Sequence, residues 1–359
     1  MRSFAIHAVI DMPTNINDFI TFFDTLQARQ LPFVLFRLPH SDELILYQQH
    51  DNKHHQTNSL QDRGFVFAPF EATHNYTYIP DTDTKTFTVP ELKNPPEGLK
   101  QPTNNSSKPY YLDLIDAAKK AIHEKKLKKV VVSRVFEQAY SGKIAASFLK
   151  MVYAYPNAMV YYWSHPQTGD WMGASPETLL YIKDGILKTM ALAGTLPYTE
   201  NTLPNWTLKE IDEQQMVTDF IQTQLKTLFP SHNITPSPTY TKRAGNLVHL
   251  CADFELHIED TNPTDVVRLL HPTPAVAGVP VDQSLAFLAT NETHKRSYYA
   301  GFLGPVQSHT CKLFVNLRCA QVTKESLKLY VGGGITSESD AETEWQESQR
   351  KAETLLRVL

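Results

Sequence analysis

Short apolar runs recur through the first part of the chain: FAIHAVI, FVLFRL, ELILYQQ and GFVFAPF each read as strand-like. Between the first two, INDFITFFDTLQARQ spaces its apolar residues at helical intervals and predicts a helix. The stretch VPELKNPPEGLKQPTNNSSKPYY is then rich in Pro, Asn and Ser and reads as an exposed connection. An organisational boundary is therefore expected near residue 105. Residues 1–105 would complete a sheet scaffold, and 106–359 carry a denser pattern.

Past that boundary, YLDLIDAAKKAIHEKKL is helical, with apolar positions at Leu112, Leu114, Ile115, Ala118 and Ile122. KKVVVSRVFEQAY, MVYYWSHP, HLCADFELHI, CKLFVNLRCAQVT and SLKLYVGGGI are rich in β-branched or aromatic residues and predict strands. So does the long stretch DWMGASPETLLYIKDGILKTMALAG. WTLKEIDEQQMVTDFIQTQLKTLF and ETEWQESQRKAETLLRVL predict two further helices. Strands and helices segregate instead of alternating, so the expected class is α+β with large, mainly antiparallel sheets.

The two helices carry acids beside their apolar faces. Val217, Phe220, Ile221, Leu225 and Leu228 form a 3.6-period stripe that, continued backwards, reaches Glu213 and Glu210. In the last helix Trp345, Ser348, Ala352, Leu355 and Leu359 form the core stripe, with Glu344, Glu347 and Lys351 alongside. Singly, such acids complement a helix dipole or build a solvated ion-paired face. Together, four carboxylates on two helices suit a hard divalent cation, Mg²⁺ before any transition metal. Gly332, Gly333 and Gly334, read as a turn that opens the last helix, would offer backbone N–H groups to an anion. A cation between that anion and the acids removes their repulsion.

Other residues add candidate chemistry. By strand alternation Lys129 shares a face with Val131 and Ser133, while Lys128 points the other way. A lysine opening an apolar strand serves as a surface gatekeeper or, buried near other cations, as a base. Glu177, in the turn of GASPE, is then a candidate general acid. His249 reads as a structural or pocket histidine, and Arg318, isolated in apolar sequence, calls for a carboxylate partner.

Composition narrows the class. With 42% hydrophobic and 20% charged residues the chain can bury a large core. A net charge of −4, without a basic run interleaved with aromatics, gives no reason to expect nucleic acid. Cys251, Cys311 and Cys319 lack metal-type spacing and suggest buried, reduced thiols. The N-terminus shows no signal-peptide pattern, and no apolar run is long enough for a membrane span, so a cytoplasmic protein is expected.

In this order, LKKVVVSR, GASPETLL, LAGT, KEIDEQ, HPTPAVAGVP, RSYYAGFLG, NLRCAQ and GGGITSESDAETEWQESQRK resemble the chorismate-utilising enzymes, most closely the isochorismate synthases. The resemblance runs from about residue 108 to the C-terminus. It implies two packed α/β layers around long antiparallel sheets, Mg²⁺ as cofactor and chorismate as substrate. On this chain Glu210, Glu213, Glu344 and Glu347 would be metal-site acids. Lys129 would be the base that activates water, and Glu177 the acid that protonates the departing hydroxyl. Arg318, Tyr299, Gly332, Gly334 and Lys351 would contact the substrate carboxylates, with Gly194, Thr195, His249 and Thr273 lining the pocket.

Two positions separate the branches of that family. Ammonia users such as anthranilate synthase carry Gln where Lys129 stands, and aminodeoxychorismate synthase has a nucleophilic Lys in the block where this chain has Ala193. Water is thus the expected nucleophile, with no glutamine amidotransferase subunit and a monomer sufficient. The resemblance leaves salicylate synthase, which also eliminates pyruvate, as the alternative. One departure is Gln214, where the family often has His; it removes a titratable group but no ligand.

Overall fold

The structure, a computed structural model, describes residues 12–71, 75–90, 106–259 and 261–359. The FAIHAVI run and most of the Pro-rich connection, with the boundary near 105, lie outside the described residues. The chain opens with α1 (Ile16–Ala28), β1 (Phe33–Arg37), β2 (Glu43–Gln48), β3 (Gln56–Thr57), β4 (Gly64–Ala68), β5 (Tyr76–Pro80) and β6 (Thr84–Thr88). It continues through α2 (Lys108–His123), β7 (Lys129–Ala139), α3 (Ile144–Ala154), β8 (Met159–Ser164), β9 (Asp170–Ser175), β10 (Thr178–Lys183) and β11 (Ile186–Pro197). Next come α4 (Leu208–Leu228), β12 (Tyr240–Ala244), β13 (Leu247–His257), α5 (Pro263–Leu270), β14 (Gly278–Val279) and α6 (Val281–Asn291). The last elements are β15 (Phe302–Gln307), β16 (Thr310–Val315), β17 (Cys319–Val322), β18 (Ser326–Ile335) and α7 (Ala341–Leu356).

The strands form two nine-stranded sheets, in the orders β14-β7-β18-β17-β9-β8-β1-β2-β6 and β12-β13-β11-β10-β16-β15-β4-β5-β3. Both are antiparallel, as the segregated pattern predicts. Early strands join both: β1 pairs with β8 and β4 with β15. One apolar core includes Phe36, Tyr161 and Trp163 of the first sheet and Phe65, Phe67 and Leu313 of the second. A second core lies under α1 and α3, where Phe19, Phe23 and Phe148 meet Phe33 and Tyr162. Helix α4 packs along β11 and β13, and α7 along β18. These two helices bring the acids beside β11 and β13 of the second sheet and β18 of the first, near one end of each.

A buried ionic clamp ties β7 to its neighbouring loop. Arg296 donates from Nη1 to the Val276 carbonyl at 2.8 Å and from Nη2 to the Val131 carbonyl at 2.5 Å. Its Nε and Nη2 also reach the two oxygens of Glu292, at 2.8 and 2.7 Å. Glu292 Oε1 in turn accepts the Ser133 N–H and hydroxyl. A buried pair of this kind costs far more to break on one side than to replace whole. Arg296→Met, which strands Glu292 and two carbonyls, should cost about 3–5 kcal/mol of stability. Urea unfolding tests this; a loss under about 1 kcal/mol would show that the clamp carries little.

Candidate active site

The three glycines do not open a helix. They lie inside β18, paired in register with Ser133, Val132 and Val131 of β7, and α7 begins only at Ala341. Ser133 gives its N–H to Glu292 and Val131 gives its N–H to the Ala277 carbonyl. At those register positions the peptide groups of Gly332 and Gly334 must therefore turn away from β7. On that side β17 stops pairing at Tyr330, so the glycine edge of β18 faces the cavity and not a strand. Anion contacts from glycine amides survive, but from a strand edge instead of a helix terminus.

Why glycine is needed is plain from what surrounds it. A Cβ on Gly334 would sit 2.3 Å from Glu213 Oε1 and 3.0 Å from Lys129 Cε. One on Gly332 would sit 2.8 Å from the Tyr299 hydroxyl, and one on Gly333 close to the Tyr111 hydroxyl and Glu344 Oε2. The side chains have closed over the bare strand.

Three lysines thread among three of the acids. Lys129, fully buried at the start of β7, places Nζ 3.0 Å from Glu213 Oε1. That contact is ionic without hydrogen-bond alignment, because Nζ has no hydrogen-bond partner. Lys209 Nζ meets Glu344 Oε1 at 2.5 Å, and Lys351 Nζ meets Glu347 Oε1 at 2.7 Å and the Gly332 carbonyl at 2.9 Å. Burial and the charge of Glu347 push the Glu344 carboxyl above the usual range, against the pull of Lys209. Burial also pushes Glu347 up, yet the charge and hydrogen bond of Lys351 hold it below its ordinary value. Glu344 Oε2 is buried without a hydrogen-bond partner.

Glu210 stands apart from this array. It is the third residue of α4, and its Oε2 accepts the Thr207 N–H at 3.0 Å and hydroxyl at 2.5 Å, closing a capping box. Among the described residues no three His, Cys, Asp or Glu side chains converge as a ready-made metal site. The donors nevertheless fit a hard cation. Glu213, Glu344 and Glu347 are carboxylates, and an orphaned buried oxygen is a cost that a divalent ion would remove.

Across the cavity the second sheet supplies the polar lining. The β11–β13 register shifts between Ala193 and Leu196, and Gly194 takes φ +67°, so a bulge turns its carbonyl inward. His249 Nδ1 meets that carbonyl at 2.9 Å and the Thr195 hydroxyl at 3.3 Å, while Nε2 faces Arg318 Nη2 at 3.1 Å. These partners place the imidazole proton on Nδ1. Burial and the adjacent Arg318 and Lys351 push the His249 pKa down to about 3. Arg318 lies just before β17, not within it, with a strained φ of +49°. Burial lowers its pKa to about 10, and Nη1 also donates to Thr354 Oγ1.

Glu177 sits in the β9–β10 turn, 3% exposed. Burial pushes its pKa up to about 8, against the opposing charges of Lys129, Lys242 and Lys351. A carboxyl protonated at neutrality thus shares the site with a buried lysine.

The cavity, about 70 Å³, is lined by Glu177, Gly194, Thr195, Glu213, His249, Tyr299, Arg318, Gly332, Gly334 and Lys351. Thr273 does not line it. Its hydroxyl accepts the Ala275 N–H and its carbonyl the N–H groups of Val276 and Ala277, shaping the loop whose Ala275 and Val276 do. Sequence reasoning missed Lys209 and Lys242. Lys209 had a signal, since a lysine in the first turn of a helix opposes the dipole and needs a partner. Lys242 had none, because YTKRA looks like any polar edge strand.

A fold of two antiparallel sheets with a buried, cation-rich cavity between them defines the class, and comparison agrees. The sequence model of the family described as chorismate binding enzyme matches residues 36–359, and the chain belongs to that family. It is 31% identical over 261 residues to the isochorismate synthase MenF of Escherichia coli, covering 69% of this chain and 60% of that protein. The chain thus matches about 60% of that relative's length. The structure of the menaquinone-specific isochorismate synthase MenF from Escherichia coli superposes with TM-score 0.78 at 24% identity, covering 93% of this chain and 90% of that one. Anthranilate synthase component I from Streptococcus pneumoniae follows with TM-score 0.67 at 17% identity, covering 98% of this chain and 95% of that one. One fold therefore serves relatives named for different reactions, and the chemistry has to be read from the site.

Because Gly334 is the bare floor under Lys129 and Glu213, Gly334→Ala should displace that pair. Turnover of the substrate proposed below should drop by about two orders of magnitude while circular dichroism stays native. Unchanged turnover would mean that the pair can shift at no cost.

Proposed function

We propose that the protein is an isochorismate synthase, transposing a hydroxyl on the diene ring of chorismate with water as nucleophile. The observation that carries this reading is the pairing of buried Lys129 with Glu177, whose carboxyl holds its proton up to about pH 8. A base and an acid of opposite task suit addition of water with loss of hydroxide. An enzyme delivering ammonia has no use for a buried lysine at this strand position, and Ala193 offers no nucleophile for covalent attachment.

In the proposed reaction Arg318, Lys351 and the Gly332 and Gly334 peptide groups bind the carboxylates, with the Tyr299 hydroxyl beside Gly332. In its neutral, unprotonated form Lys129 accepts a proton from water as the water oxygen bonds to ring carbon 2. The ring double bonds shift, and Glu177 donates its proton to the hydroxyl leaving carbon 4 as water. One water enters and one departs, so no oxidant or reductant is needed. Neutral His249, fixed between Gly194 and Arg318, orients the guanidinium without adding charge. Glu213, Glu344 and Glu347 would hold Mg²⁺, which would supply a positive field for the ring carboxylate and the charge that develops. Glu210, committed to its cap, is left out of that set.

Purified protein supplied with Mg²⁺ should convert chorismate reversibly to isochorismate, resolved by chromatography. Pyruvate and salicylate in the product would move the assignment to salicylate synthase. Lys129→Ala should remove turnover and spare Mg²⁺-dependent substrate binding; normal turnover would falsify the base assignment.

The acid gives a separate pH signature. Glu177 works protonated, a form present below about pH 8 and lost as pH rises through it. The alkaline limb of kcat should therefore fall near pH 8 and be absent in a slow Glu177→Gln variant. A limb unmoved by that substitution would assign it to another group.

A further inference from the structure

The active-site cavity is small for its proposed ligand. At about 70 Å³ it falls well short of the roughly 300–1,000 Å³ usual for organic-ligand pockets. Adjoining it lies a second cavity of about 240 Å³, and Pro176 and Arg318 line both. Arg318 is thus the partition between them. The second cavity is lined by Lys242 and Arg243 of β12 together with Tyr155 and Thr354, and no acidic side chain occurs among its described lining residues.

Lys242 is placed unusually for a residue on an edge strand. Such lysines ordinarily point to solvent and block edge-to-edge association. Here Lys242 stands directly opposite His249 in the β12–β13 register, so it shares the sheet face that lines the active site. Its ammonium lies 3.3 Å from the Met190 thioether, a weak acceptor, and it is half-buried between exposed Thr241 and Arg243. It forms none of the ion pairs recorded among the described residues, and its charge acts on Glu177. Arg243 is held nearby, its guanidinium 3.7 Å from the Tyr198 ring centroid and its Nε donating to the Gly245 carbonyl. An ammonium kept inside a cavity without an acid is arranged for an anion that comes and goes.

We propose that the cavity beyond Arg318 is an anion-binding antechamber of the active site, where Lys242 captures a carboxylate of the dianionic substrate before it passes Arg318. The inference rests on the proposed function for the identity of that substrate, while the antechamber itself requires only a small dicarboxylate. Charge steering of this kind acts on association, so it appears in kcat/KM and its salt dependence.

The test compares wild type with Lys242→Gln and Lys242→Arg at pH 7, at rising KCl, after circular dichroism has shown each to be folded. Lys242→Gln should lose about tenfold in kcat/KM at low salt, with a shallower salt slope and the loss confined to KM. Lys242→Arg should recover most of it. If Lys242→Gln stays within twofold of wild type with the same slope, or loses kcat instead, the antechamber is wrong. Should wild type fail to turn over chorismate, the proposed function falls, and calorimetric binding of succinate judges the antechamber instead. Several-fold weaker succinate binding by Lys242→Gln upholds it; equal affinity, or no binding by wild type, overturns it.

Discussion

Everything at this site depends on burying several charges of both signs in one small volume. Lys129, Lys209 and Lys351 face Glu213, Glu344 and Glu347 one to one, at 2.5–3.0 Å. A charge withdrawn from water is costly unless paired, and the array is tolerable only because every lysine has an acid within reach. The match is incomplete by design of the backbone: Glu344 Oε2 and Lys129 Nζ remain without hydrogen bonds. Such unfinished pairing leaves room for a ligand to rearrange the array, where a fully satisfied network would resist it.

The backbone makes this packing possible by removing side chains where the array closes. β18 runs through the first sheet as a regular partner of β7, yet its last residues carry no side chains at Gly332, Gly333 and Gly334. On one face that space is filled by Lys129, Glu213 and Tyr299, and on the other by Tyr111 and Glu344. Because β17 begins only opposite Tyr330, the same glycines also present peptide groups sideways to the cavity. The Arg296–Glu292 clamp then holds β7 against the loop that forms the remaining wall. Rigidity and an open polar edge come from the same few residues.

Electrostatics divides the labour across the cavity. The first sheet and the two helices bring alternating lysines and glutamates, whereas the second brings neutral His249 beside Arg318. Glu177 lies between them, with burial outweighing three nearby lysines. A lone buried carboxyl would be a liability to stability; set against a buried lysine it has the environment that the proposed proton donor requires.

Periodicity alone gave the helices over α1, α2, α4 and α7, most of the long strands and the antiparallel character of the sheets. These follow from local alternation of apolar residues, which each segment carries by itself. It also pointed to Lys129, Glu213, Glu344 and Glu347, because a charge on or beside an apolar face is visible along one element. Glu177, an acid in a turn, gained meaning only beside a candidate lysine base and from the resemblance. What one element cannot show is which neighbour answers it. Glu210 and Glu213 look alike on the α4 stripe, but the turn before the helix captures one and the lysine of β7 faces the other. Gly332 to Gly334 fit both the end of the strand SLKLYVGGGI and a turn opening the last helix until the register with β7 settles them as strand, and Lys242 reads as a surface charge until pairing with His249 turns it inward. Partner, register and burial are relations between distant segments, and only the packed chain decides them.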